Sequence, residues 1–440
     1  MPETLVATAA ATTRPPRRRG RRRFVRAMYW PVVLALVALN GWWWWDARPV
    51  PPLKMVERWI GVKREVGNRA VAWWDVGDVP RDNSGAISVL QRAVRKSPND
   101  GEARLALGRA LGAARDFAGC VEQLRQVPFW SPRKPEAQYG EGMALLELSR
   151  AREAEAVFLA YLAVDPNHPS PRADRVVVEN KLWDIHALED RWDDARALAW
   201  RAYRDAEGRT DVQLKILEVL MRFRLERSSP DATAARLAPI LAADPADWEA
   251  RRALARAYDA IGQREEADRQ IATCLAERPK SPRAWADKLD MLEGRGDFAG
   301  LAAAEAQVPA EAEVEGRIWM TRGKLHRQAQ DYAGAAKAFA KAVEILPNDP
   351  EAHYGLEQAL QRTGNADEAE IKLHRHRHVE LLERSKSVTQ AINHYRDLTD
   401  LANPSKVALR EAMTRLAADC QGMGWTDEAA AWAKAAKAYE

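Results

Sequence analysis

Residues Gly316 to Asp349 read GRIWMTRGKLHRQAQDYAGAAKAFAKAVEILPND, and the fold follows from them. Their apolar and small residues fall at Trp319, Gly323, Tyr332, Ala335, Phe339, Ala342 and Pro347. Helical spacing on each side of a break at Gln330-Asp331 gives two amphipathic helices, and Pro347 stops the second. Such a helix pair cannot bury its apolar stripe alone, so it demands neighbours built the same way.

The chain supplies them on both sides. Residues 101–134 carry Leu107-Gly108, Leu111, Phe117, Cys120 and Leu124, and residues 135–168 carry Gly142, Leu145, Ala154, Phe158 and Pro166. Residues 248–281 repeat the layout with Leu254-Ala255, Tyr258, Gly262, Ala267, Ile271, Cys274 and Pro279. Residues 350–383 do so with Leu356, Leu360, Gly364, Ala369 and Leu373. Weaker copies fill 176–209, 211–247 and 282–315. In the second of these the first helix, QLKILEVLMRFRL at its centre, is unusually apolar on one face. In the third, the second helix is short and Ala-rich, an irregularity in the array. Residues 84–98 read as a lone second helix, and 384–401 extend the helix before them because they lack Gly and Pro until Asn403-Pro404. Residues 405–440 then close the array as a cap.

A period of 34 residues with W…G…Y…A…F…A…P resembles the tetratricopeptide repeat. The resemblance implies an all-α, right-handed α-solenoid of about nine helix-turn-helix units over 84–440, clearest at 101–134, 135–168, 248–281, 316–349 and 350–383. It makes Trp319 the aromatic of helix A, Gly323 the point of close approach and Ala335 the small residue facing it. Arg322 and His326 depart from the usual Leu and Tyr.

The net charge of +4 is unevenly placed. Residues 1–27, a disordered Ala/Thr/Pro- and Arg-rich tail, hold eight Arg between Arg14 and Arg26 against Glu3 alone. That tail carries +7, so the remainder nets −3 and lacks the basic footprint of a nucleic-acid binder. Behind it, residues 28–45 (MYWPVVLALVALNGWWWW) contain no charge. At 1.5 Å per residue they reach roughly 27 Å, enough for a short membrane span. Trp42 to Trp45 suit the headgroup boundary, and their bulk opposes the small-residue site that a cleaved signal peptide needs. Residues 28–45 are therefore expected to be a transmembrane signal anchor preceding the array. The Lys/Arg excess ahead of the span keeps that end cytoplasmic and sends the body across the membrane, to the periplasm in a bacterium. Residues 46–83 form a Pro-rich linker and a juxtamembrane helix.

Chemistry is scarce. Cys120, Cys274 and Cys420 are far apart in sequence and sit at small-residue helix positions, which points to buried thiols rather than a zinc set. His374 and His378 share a helix face and could hold a metal, with His376 pointing elsewhere. No third ligand matches their spacing, and Arg375 and Arg377 repel a cation. His186 and His326 are expected to pack. No phosphate loop, HExxH or nucleophile elbow occurs, so neither catalysis nor a cofactor is expected.

The resemblance implies a concave binding face lined by A helices. Carried over position by position, it marks Arg109, Tyr139, Arg252, Arg256, Met320, Lys324, Arg327, Tyr354, Gln358 and Arg362. Cations among aromatics and Met suit an extended peptide with acidic groups or a C-terminal carboxylate. The clamp by which chaperone-binding members hold an acidic tail is not matched, because its positions hold Ala106, Gly140, Ala253, Thr321 and Gly355. The expected function is a membrane-anchored scaffold presenting this groove to envelope proteins or peptides. A cytoplasm-facing scaffold and a metal-dependent accessory protein built on His374 and His378 are the alternatives.

Overall fold

A helix starts best where a short polar side chain satisfies its first free N–H groups, and here that residue is often aspartate. The computed structural model describes residues 84–163, 175–226, 229–364, 367–401 and 403–439. In it Asp116, Asp297 and Asp331 accept from the backbone N–H of Gly119, Gly300 and Gly334. These caps share the sequence Asp-Phe/Tyr-Ala-Gly, and the glycine is required: a Cβ there would lie 2.2 to 2.5 Å from the capping carboxylate. The tail (1–27), the expected span (28–45) and the linker (46–83) lie outside the described residues. Among the described residues, no helix is long and apolar enough to cross a membrane.

The described residues are helical, without strands. The helices are α1 (Ser84–Lys96), α2 (Gly101–Ala113), α3 (Phe117–Arg125), α4 (Lys134–Glu147), α5 (Ala151–Leu162), α6 (Arg175–Leu188) and α7 (Trp192–Asp205). There follow α8 (Thr210–Leu225), α9 (Pro230–Ala243), α10 (Trp248–Ala260), α11 (Arg264–Glu277), α12 (Pro282–Gly294) and α13 (Phe298–Glu305). After a 3₁₀ turn at Ala310–Val314 come α14 (Gly316–Gln328), α15 (Tyr332–Ile345), α16 (Pro350–Thr363), α17 (Glu368–Thr399), α18 (Lys406–Gly422) and α19 (Thr426–Lys437). Most pair as antiparallel A and B helices, α2 with α3, α14 with α15 and so on, as tetratricopeptide-like units do.

Within a unit, helix A carries a glycine where helix B presses a large side chain against it. A Cβ on Gly142 would sit 2.3 Å from the Phe158 ring, and one on Gly323 would sit 2.7 Å from Phe339. Phe339, not only Ala335, therefore sets the approach of α14 and α15. A shallow depression of about 410 Å³ lies between the 3₁₀ turn, α14 and α15, beside Val314, Trp319 and Ile345.

Residues 211–247 depart from expectation. Both helices exist, but they serve different cores. One core runs from Val94 of α1 through Leu145, Phe158 and Trp183 to Ile216, Leu220 and Phe223 of α8. It continues into Leu381, Val388 and Tyr395 of α17, Met413 and Leu416 of α18, and Trp432 of α19. The next helix, α9, instead packs Ala234 and Leu237 against Ala253 and Leu254 of α10. Smaller cores follow in sequence through α16.

The C-terminal unit is thus more than a solvated cap, because it returns to α8. Met221 Sδ lies 3.8 Å from Cys420 Sγ, both fully buried. Arg224 Nε donates to Glu428 Oε1 at 3.0 Å, and its guanidinium stands 5.1 Å from the Trp425 ring. Arg396 Nη1 donates to Glu226 Oε1 at 3.0 Å. Contact on two sides explains why Leu214, Ile216, Leu217, Val219, Leu220, Met221 and Phe223 are all buried on one helix.

Met221→Ala should therefore destabilise the protein by about 2–5 kcal/mol in urea unfolding. Amide exchange should also accelerate in α18 and α19, nearly 200 residues away in sequence, while α12 and α13 keep their rates. Unchanged protection of α18 and α19 would contradict the closure.

Candidate partner-binding face

The A-helix stripe assigned to binding turns out to be largely committed to the chain's own carboxylates. Arg109 of α2 pairs with Glu136 of α4, the next A helix. Lys324 of α14 donates to Glu293 of α12 and lies equally near Glu351 of α16, 2.7 Å from each, so it ties three successive A helices. Arg256 of α10 reaches Asp190 at 3.0 Å and Asp287 at 3.6 Å. Arg252, 1% exposed, pairs with Asp287 and donates to Glu249 at 3.2 Å and to the Glu189 carbonyl at 2.7 Å.

Asp287 of α12 is the node of this network. It is fully buried and faces Arg252, Arg256 and Arg317, the last donating to it at 3.0 Å and to Asp290 at 2.7 Å. Burial alone would raise its pKa, but the three guanidinium groups outweigh burial and hold it below the ordinary carboxylate range. The same charges keep Arg252 and Arg317 firmly protonated despite burial. Sequence reading marked Arg252 and Arg256 as ligand-facing and missed Asp287, which lies one repeat after Ala253 rather than after either arginine.

The remaining assigned residues divide. Met320 is buried with Ala335, Phe339 and Leu356. Tyr139 is half-buried, its ring 6.5 Å from those of Phe158 and Tyr161. Arg327 is half-buried, 5.9 Å from the Phe339 ring. On α16, Tyr354 and Arg362 are exposed and Gln358 half-buried, one stripe at four-residue spacing. Tyr354 stacks on His378 at 5.1 Å, and Arg362 stands 5.9 Å from the Tyr332 ring. This α16 stripe is the part of the assigned face left open to a partner.

The histidines find other work. His374 and His378 both face α16, as their spacing requires, but each Nδ1 is engaged. His374 Nδ1 lies 2.9 Å from Nδ1 of His353, and His378 Nδ1 donates to the Pro350 carbonyl at 2.8 Å. Among the described residues, no three His, Cys, Asp or Glu side chains are grouped to hold a metal. His186 is buried against Glu155 at 2.7 Å. His326 does not pack in the core: it is exposed and binds Asp331, the cap of α15, at 2.8 Å. The three thiols are buried, and burial pushes each up to about 12.

The family comparison agrees with this helix-pair architecture. The tetratricopeptide-repeat family profile matches residues 81–139, 224–288 and 326–377. Those segments match the tetratricopeptide repeat, and the described helices form a helical repeat protein. No curated protein matches the chain. Among solved structures, a tetratricopeptide repeat protein from Parabacteroides merdae is 15% identical with a TM-score of 0.31, covering 59% of this chain and 98% of its own. Human IFIT1, solved as a dimer with m7Gppp-AAAA, is 11% identical with a TM-score of 0.35, covering 83% and 96%. The Cut9-Hcn1 hetero-tetramer of APC/C gives 10%, 0.31, 81% and 84%.

Two buried carboxyls predict an unusual pH dependence. Burial, reinforced by Asp247 for Glu189 and by Asp205 for Glu179, pushes both up to about 8. An acid whose folded pKa is raised stabilises the fold fully below its unfolded value near 4.5, and that stability is lost as pH rises toward 8. Urea unfolding should show stability falling from pH 5 to pH 8, and less steeply in Glu189→Gln, which should exceed wild type at pH 8. An identical slope in the variant would refute the assignment. Asp287 acts oppositely, its contribution vanishing only as pH falls through its depressed value.

Proposed function

We propose that this protein is a membrane-anchored scaffold whose tetratricopeptide array binds a protein or peptide partner on the extracytoplasmic side. The observation that carries the binding role is the open stripe Tyr354, Gln358 and Arg362 on α16, within the last repeat segment of the family match. An aromatic, an amide and a cation at four-residue spacing fit an extended peptide with one acidic group. Partner specificity rests on few contacts, because the neighbouring cations are already neutralised within the chain.

Anchoring is supported by the uncharged run 28–45 behind eight arginines, and sidedness by the Lys/Arg excess on the N-terminal side. The anchor confines the groove to one membrane and raises its effective concentration against partners held there. The titratable clusters described above are internal ion pairs and hydrogen bonds.

A photoreactive residue at Tyr354 or Arg362, activated in native membranes, should capture a discrete protein partner. Capture should fall in a Gln358→Ala, Arg362→Ala background. Failure of both positions would count against the binding role. A membrane-impermeant maleimide should label Val407→Cys, 56% exposed on α18, in intact cells. Labelling only after lysis would reverse the topology.

A further inference from the structure

One end of the array carries charges and aromatic rings that the rest of the architecture does not use. Phe129 and Trp130, in the loop between α3 and α4, are 83% and 66% exposed. Their rings meet edge to face, with centroids 4.9 Å apart, so the pair presents one aromatic tip to solvent. Such an exposed pair is a sign of an interaction surface rather than of packing.

Beside this loop lies the end of α1. A Cβ on Gly101, the first residue after the α1–α2 turn, would meet Ser131 Oγ at 2.2 Å and Val127 at 3.4 Å. The loop and the turn are therefore in contact. α1 reads SGAISVLQRAVRK, with three cations and no acid. Ile87, Leu90 and Val94 face the core, which leaves Val89, Arg92, Arg95 and Lys96 outward on the opposite face.

The contrast with nearby cations is sharp. Arg109, Arg125 and Arg133 each hold a carboxylate on another helix. Among the described residues, Arg92 bonds only the Ser88 carbonyl of its own helix, at 3.4 Å. Neither Arg95 nor Lys96 has a carboxylate partner among the described residues. Unneutralised cations beside an exposed Trp and Phe match one surface well: an anionic lipid leaflet, where cations meet headgroup charge and amphipathic rings sit at the boundary.

We infer that α1 and the Phe129–Trp130 loop form a lipid-facing end that docks the array against an anionic membrane surface. The inference rests on the anchor reading, which places this end nearest in sequence to the span: 38 residues separate Trp45 from the start of α1. Docking would fix the array's orientation to the membrane and direct α16 to partners held in or near the bilayer.

The test uses the full chain in phosphatidylcholine vesicles with or without phosphatidylglycerol. Phe129→Cys carries an environment-sensitive dye, and labelling is selective because Cys120, Cys274 and Cys420 are buried. With anionic vesicles the emission should shift to the blue and be quenched by headgroup spin-labelled lipid. Both effects should be lost with phosphatidylcholine alone and in the Arg92→Gln, Arg95→Gln, Lys96→Gln variant. The same dye at Val314→Cys, 70% exposed in the middle of the chain, should stay unquenched. If the chain floats with vesicles while the dye at 129 remains in water, the lipid-facing end is wrong and the anchor stands. A dye shielded equally without anionic lipid means a protein contact, and overturns the inference. A chain that fails to float overturns both readings.

Discussion

The interaction on which the rest depends is the return of the C-terminal helices to α8. A repeat array is normally stabilised by nearest neighbours, so each unit needs only the next. Here α8 leaves its expected partner and is buried between α7 and the C-terminal helices. Arg224 and Glu428, 204 residues apart in sequence, meet at that contact, and Glu428 is 1% exposed. A carboxylate so enclosed is tolerable only with its cation in place. Closure therefore couples α8 to the last unit, and helices that would fray in an open array are held by a contact of long sequence separation.

Closure also explains where polar residues are buried. Residues 178–186 of α6 are all buried, including Glu179, Asn180, Lys181 and Asp184, so no face of that helix reaches solvent. Glu179 is held beside Arg201 at 3.0 Å. The Asp287 cluster applies the same chemistry farther along, where the turn after α6 meets α10. Charge holds together surfaces that apolar stacking leaves imperfectly matched, and the positions spent this way are ones a binding groove would otherwise use. What remains open on the described surface is narrow: the α16 stripe, and the outward face of α1 with Phe129 and Trp130.

Much of the helical architecture was legible because helix pairs are local. The close approach at Gly323, the Pro stops and the unbroken helix through 384–399 follow from spacing and from helix-breaking residues, whereas the side chain that meets Gly323 is Phe339 rather than Ala335 alone. The unusually apolar face of α8 was also visible, but its cause was not, since nothing in QLKILEVLMRFRL names a partner near residue 420. Residues 176–209 looked weak for a related reason: a helix buried on nearly all sides, polar residues included, does not show an apolar stripe. At the site, sequence could put Arg252, Arg256 and Lys324 on A helices. It could not show that the next A helix brings Asp287 or Glu351 to them, because that depends on the angle between units.

The most direct test of this account is a double-mutant cycle across the closure, with Arg224→Ala, Glu428→Ala and the pair compared by urea unfolding. A direct contact between α8 and α19 predicts a coupling energy of about 1–3 kcal/mol. Strictly additive effects would mean that the C-terminal unit does not rest on α8, and would contradict the account at its centre.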